Sequence, residues 1–226
     1  GGRDCGFNLD LMFGLPGQTL EQALADVRAA IEQQPTHLSV YQLTIEPNTL
    51  FHAQPPVLPD DDATWDMQQA LQAELAAAGF KQYEVSAYAR PGFECRHNLN
   101  YWQFGDYLGL GAGAHGKITT GNNIARRWKL KRPEDYLSKA GMPAVIGDEQ
   151  RLTQADAITE FMLNALRLTG GFPIVLFTER TGLAPNTIEA NLHHAEQQGL
   201  IARNTTAIRP TEQGRRFLNN LIELFI

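Results

Sequence analysis

Asn8-Leu9-Asp10-Leu11-Met12-Phe13-Gly14-Leu15-Pro16-Gly17-Gln18-Thr19 is the stretch on which the fold turns. From Phe7 to Phe13 it is strand-like and mostly apolar. Gly14 to Gln18 is a turn by its glycine and proline content. Thr19, with Gln22 three positions on, is a capping-box pattern. Behind it Leu20, Ala23, Leu24, Val27, Ala30 and Ile31 recur at helical spacing, and Pro35 ends the helix. His37-Leu38-Ser39-Val40-Tyr41-Gln42-Leu43 is a second strand. A strand–helix–strand crossover predicts a parallel pair.

Working outward, Ile45 to Pro59 holds four prolines and is a long loop, a kind of segment that is usually functional inside a compact domain. A helix is expected from about Asp60 to Ala78, with Met67, Leu71, Leu75 and Ala78 on one face. Strand-like runs follow near 80–88, 107–118 and 123–131. Helices of normal length do not separate them, so an antiparallel extension of the sheet is expected. Composition shifts at Gly141-Met142-Pro143. Beyond it Ile158, Phe161, Met162, Ala165 and Leu166 share a helical face. Short helices are expected around 173–181 and 185–199, then strand pieces Leu200–Arg203 and Ala207–Arg209. A last helix carries Phe217, Leu218, Leu221, Ile222 and Phe225. Three helices, a β-wing and a helix are the plan of a winged helix. The division expected is 1–140 and 141–226.

The 226 residues are 43% hydrophobic and 19% charged, which suits a packed core. No apolar run reaches the length of a membrane span. Gly1-Gly2-Arg3-Asp4 leads straight into a strand with no signal peptide; this abrupt start suggests a piece of a longer chain. The net charge of −6 argues against general nucleic-acid affinity. Cys5 and Cys95 are the two cysteines, and their spacing allows no CxxC knuckle or disulfide framework. A reducing cytoplasm is the expected compartment.

His97-Asn98-Leu99-Asn100-Tyr101-Trp102 puts a metal-capable imidazole beside two amphipathic aromatics. Such aromatics can line an apolar pocket while their polar ends find partners. Gly109 to Gly116 reads as a glycine-rich strand, open to a backbone or a flat ligand. Together they suggest a site for a large planar molecule; a buried aromatic turn before an ordinary core strand is the alternative. Cys95 and His97 point the same way in an extended chain, and either side chain can ligate haem iron. Asp10, in an apolar strand just before a turn, can accept hydrogen bonds from a ribose or an amine, or can cap a neighbouring loop. Arg126-Arg127-Trp128-Lys129-Leu130-Lys131-Arg132 carries five cations in seven residues. On a strand Arg127, Lys129 and Lys131 share one face, suited to carboxylates or phosphates; a charged edge strand that resists aggregation is the other reading. The helix from Pro185 to Gly199 is where a winged helix reads DNA. It contains Glu189, His193, His194 and Glu196 and no Lys or Arg, so phosphate neutralisation would gain it almost nothing.

Several of these runs recur together in one family. They are Asn8 to Thr19, Ser39 to Thr49, the His-Asn-x-x-Tyr-Trp motif at 97–102, Gly109 to His115, and Glu160 to Leu168. In this order, and over essentially the whole chain, they resemble the oxygen-independent coproporphyrinogen III oxidase-like radical S-adenosylmethionine proteins. The histidine motif resembles that of the HemW-like haem (heme) chaperone branch more than that of the true oxidases. The resemblance implies an α/β (α+β) architecture: the C-terminal part of an incomplete TIM-like (β/α) radical SAM barrel with a sheet extension, plus a winged-helix-like domain. It implies His97 as haem ligand, with Cys95 as rival, and Tyr101 and Trp102 shaping the haem surface. It implies S-adenosylmethionine near Asp10, Thr44 and His115. The family's Cys-x-x-x-Cys-x-x-Cys motif, which holds a [4Fe-4S] cluster, is absent from this sequence, so this chain alone is expected to lack cluster and radical chemistry. Haem or porphyrin, and haem-accepting proteins, are the implied partners. An authentic oxidase that decarboxylates porphyrinogen propionates is the alternative activity, and a winged-helix DNA-binding protein the unrelated one.

Overall fold

The computed structural model describes residues 6–121 and 123–226. The opening Gly1 to Asp4, Cys5 and Asn122 lie outside the described residues, and with them the readings of the abrupt start and of Cys5. The chain forms two compact units that divide after Cys95.

In the first unit β1 (Asn8–Phe13) and β2 (His37–Gln42) flank α1 (Leu20–Glu32). The two strands are parallel, in register from Asn8 opposite His37 to Phe13 opposite Gln42. The capping box at Thr19 forms: the Gln22 amide donates to Thr19 Oγ1 and the Thr19 amide to Gln22 Oε1. Such a cap satisfies amides that the first helical turn leaves unpaired. Along β1, Leu9, Leu11 and Phe13 turn to the core while Asn8, Asp10 and Met12 stay exposed, the period of two that a half-buried strand requires. The loop after β2 contains one short helix, α2 (Leu50–Ala53). The long helix α3 (Asp61–Ala77) sets Met67, Leu71 and Leu75 into the core with Val27, Leu38 and Val40. A forked Arg28–Glu74 pair, both bonds 2.9 Å, ties α3 to α1. Then β4 (Ala87–Ala89) adds antiparallel to β2, and β3 (Lys81–Gln82) antiparallel to β4, giving the order β1-β2-β4-β3.

The second unit opens with α4 (Arg96–Trp102), then β5 (His115–Thr120), β6 (Asn123–Lys129), α5 (Pro133–Ser138) and β7 (Ile146–Arg151). Strands β5, β6 and β7 make their own antiparallel sheet. The runs near 107–118 and 123–131 therefore do not extend the first sheet, as the sequence had suggested. Their true third partner, β7, is Ile-Gly-Asp-Glu-Gln-Arg, with five exposed residues and no alternating apolar face to announce it. The glycine run is corrected too: from Leu108 to Ala114 the chain is loop, and the strand begins at His115. A Cβ on Gly109 would meet the His115 carbonyl oxygen at 2.4 Å, so that glycine serves the loop's own fold.

Beyond β7 come α6 (Gln154–Ala165), β8 (Phe172–Pro173), α7 (Ile174–Thr181), α8 (Glu189–Gln197), β9 (Ile201–Arg203) and β10 (Ala207–Pro210). The chain ends in α9 (Glu212–Arg216) and α10 (Leu218–Glu223). The last helix expected from the sequence is broken at Phe217 into these two. Strands β8, β10 and β9 form a third small sheet. The unit's core is centred on Phe161, whose ring meets Phe104, Phe172 and Phe177 edge-on at 6.0, 5.2 and 5.2 Å, the geometry that aromatic quadrupoles favour. Among the described residues no helix is long and apolar enough to cross a membrane.

Candidate functional site

Helix α4 carries the His97 motif. The helix exits through Phe104, at φ +53°, and Gly105, whose amide donates to the Asn100 carbonyl at 2.7 Å. A Cβ on Gly105 would lie 2.1 Å from Asn100 Oδ1, so glycine is required there. Asn100 Nδ2 in turn donates to the Asp106 carbonyl at 3.0 Å. This tight exit fixes the end of α4 against the strand that follows.

Along α4 His97 and Tyr101 are four apart and face each other. Their rings are 4.7 Å apart and nearly perpendicular. Tyr101 reaches Tyr107 at 4.4 Å, and Arg126 Nη1 donates to the Tyr107 hydroxyl at 2.6 Å. Arg126 is held by Glu160, through Nε at 3.0 Å and through Nη2. His97 itself is exposed, and its ring nitrogens have no hydrogen-bond partner among the described residues. Trp102 lies under the Arg167 guanidinium, 4.5 Å from the ring, and its buried indole N–H has no partner among the described residues. A row His97–Tyr101–Tyr107–Arg126–Glu160 thus runs from the exposed His97 to a half-buried ion pair. Burial and the neighbouring Tyr107 raise the Tyr101 pKa. Burial lowers that of Arg126, but Glu160 more than offsets it and the net shift is upward.

Beneath this row lies Lys117, 1% exposed. Its ammonium donates to the Phe104 carbonyl at 3.0 Å and to Asp106 Oδ1 at 2.8 Å, and sits 4.1 Å from the Phe104 ring centroid. Burial lowers its pKa despite Asp106. Sequence reading missed Tyr107, Lys117, Glu160 and Arg167, because each acquires its role from a neighbour distant in the chain.

The other expectations resolve as follows. Cys95 precedes the helix that holds His97, so the extended chain that would aim both side chains alike is not present. Asp10 is exposed and accepts from Asn8 Nδ2 at 2.8 Å; it is not a buried loop cap. Thr44 is exposed and donates to Glu46 Oε1 at 2.9 Å. His115 is exposed at the start of β5, edge-on to Trp128 at 5.5 Å. Asp10 and Thr44 belong to the first unit, and His115 to the second. Arg126 to Lys129 of the basic run lie in the central strand of their sheet, not at an edge, and Leu130 to Arg132 lie beyond it. Arg127 pairs with Glu149 at 2.5 Å. A register shift between Trp128 and Lys129 ends the alternation, and Lys131 lies beyond β6, so Arg127, Lys129 and Lys131 do not share a strand face. In α8, Ile188 just before the helix, Leu192 and Ala195 are buried, and Glu189 and Glu196 both accept from Arg203, at 2.7 and 3.0 Å. Among the described residues no three His, Cys, Asp or Glu side chains converge as a metal site.

This mixed α/β arrangement is shared with a solved structure, the coproporphyrinogen III oxidase HemN of Escherichia coli, described as a radical SAM enzyme. The TM-score is 0.72 over 98% of this chain and 55% of that one, at 21% identity, a likeness of fold. A family model described as the HemN C-terminal domain matches residues 152–217. The heme chaperones HemW of Escherichia coli K12 and of Haemophilus influenzae are each 50% identical over 97% of this chain. That of Bacillus subtilis is 34% identical over 99%. Over nearly its whole length the chain is thus similar to the HemW heme chaperones, and residues 152–217 match the HemN C-terminal domain. The chain spans 57% of the length of the two 50% identical relatives.

Proposed function

We propose that the protein binds haem, with His97 as axial ligand and Tyr101 and Trp102 shaping the surface against which the macrocycle lies, and that it passes haem to acceptor proteins in the cytoplasm. The observation that carries this is the exposed, unpartnered imidazole of His97 at the outer end of a fixed aromatic row. A neutral imidazole is a common axial ligand of haem iron. Tyr101 and Trp102 add apolar area with polar ends. The relatives named heme chaperones support the same reading.

On the family plan, residues 1–140 correspond to later strands of a partial barrel with its sheet extension, and 141–226 to a winged-helix-like domain. The exposed carboxylate of Asp10 and the hydroxyl of Thr44 suit the ribose or amine of S-adenosylmethionine; His115 is a candidate by the resemblance alone. A [4Fe-4S] cluster does not fit this chain: the family motif needs three thiolates, and the sequence holds Cys5 and Cys95.

The test is a haem titration of the complete protein that contains this chain. His97→Ala should weaken binding by about tenfold or more and move the Soret band, while Cys95→Ala leaves both unchanged. Thiolate and imidazole give different spectra, so a change confined to Cys95→Ala would assign the ligand to sulfur instead.

A further inference from the structure

The basic run contains a division that the haem reading does not use. Arg126 and Arg127 are committed, to Glu160 and Glu149. Lys129 and Lys131 have no ion-pair partner among the described residues. Both line a hollow of about 360 Å³ together with Trp128, Leu130, Gly147 and Asp148, a volume at the small end of ligand sites. Two ammoniums against one carboxylate leave it net cationic on a chain of net charge −6. The Asp148 carboxylate is itself engaged, accepting from the Glu149 amide at 2.8 Å.

The hollow is also held in shape. The Gly113 amide donates to the Leu130 carbonyl at 2.8 Å, and the Leu130 amide to the Val145 carbonyl at 3.0 Å. Gly147 adds no side chain to the wall. The His115 ring braces Trp128 from the opposite strand position, at 5.5 Å.

We propose that this hollow is a second ligand site, for a flat anion whose ring packs on Trp128 and whose carboxylate or phosphate oxygens meet Lys129 and Lys131. An indole offers a large apolar surface to a ring, and charge-assisted bonds from ammoniums are roughly twice as strong as neutral ones. The site is independent of His97 and takes the ligand without axial ligation.

The experiment uses the complete protein and equilibrium dialysis with two probes that need no iron ligand: metal-free protoporphyrin, which offers carboxylates, and ATP, which offers phosphates. At least one probe should bind, and the one that does identifies the anion. The Lys129→Gln/Lys131→Gln double variant should lose about tenfold or more in affinity, with little change in melting temperature because Lys131 is exposed, Lys129 is half-buried and neither takes part in an ion pair among the described residues. Trp128→Leu should weaken the same probe, and His97→Ala should leave it unchanged. Binding of neither probe, or binding that the lysine pair does not affect, overturns the proposal. Equal loss in His97→Ala assigns the binding to the haem site and also overturns it, whereas failure of His97 to ligate haem leaves these outcomes untouched.

Discussion

Lys117 is the residue whose environment is most demanding. A buried cation is costly unless it is paired and hydrogen-bonded. Here Asp106 accepts from Lys117, from the Thr119 amide at 2.7 Å and from the Thr119 hydroxyl at 2.8 Å, so one carboxylate knits the α4 exit to β5. Lys117→Met should cost about 3 kcal/mol, the lower end for a broken buried pair because the Asp106 side chain is 42% exposed. Urea denaturation of the variant measures it. Burial raises the Asp106 pKa, but Lys117 and Thr119 outweigh it and the net value falls below the ordinary 3.8. Its folded value therefore lies below its unfolded one. The stabilisation is complete above about pH 4 and is lost as pH falls through the folded value. Asp106→Asn should flatten that acid loss in urea midpoints followed downward from pH 5. His97 teaches a different point at this scale. Its identity and motif were legible in the chain, but its freedom from hydrogen bonding came from the way α4 is turned.

Elements succeed or fail through their ends. Helix α6 starts at a capping box in which Thr153 and Asp156 bond reciprocally, at 2.9 and 3.2 Å. Thr153→Ala should cost about 1 kcal/mol, read from thermal or urea unfolding; it removes the hydroxyl bond to Asp156 but keeps the backbone N–H bond, the larger of the two that hold the Asp156 pKa down. The small sheet β8-β10-β9 depends on Gly171, at φ +72°, where a Cβ would lie 2.1 Å from the Ile208 carbonyl oxygen. Gly171→Ala combines left-handed strain with a backbone clash and should cost at least about 2 kcal/mol. Amide exchange in β10 should accelerate in the variant; unchanged protection would refute the close approach. The helices α1 and α3 were readable because their apolar residues recur every three or four positions. The strand β7 was not, since a polar sequence becomes a strand when β6 offers it a ladder of hydrogen bonds. Glycine repetition at 109–116 misled in the opposite direction, because glycine supports turns as readily as close packing.

In the whole molecule two separate apolar clusters divide the work, one around Leu38, Leu71 and Leu75, the other around Phe161. Phe161 is fully buried among three other phenylalanines. Phe161→Ala should cost about 3–5 kcal/mol, seen as a lowered urea midpoint with the largest protection losses in α6, α7 and the β8-β10-β9 sheet. The sequence by itself determined the parallel pair β1–β2, the helices that cover it, the cap at Thr19 and the histidine–aromatic motif. All of these rest on residues within a few positions of one another, where periodicity and hydrogen-bonding chemistry act directly. Tertiary structure alone decided the partnership of β5, β6 and β7, the burial of Lys117 against Asp106, and the separation of Arg126 and Arg127 from the unpaired Lys129 and Lys131. Those depend on contacts between segments far apart in the chain: which strand pairs with which, and which carboxylate reaches which cation, is settled only when the elements pack.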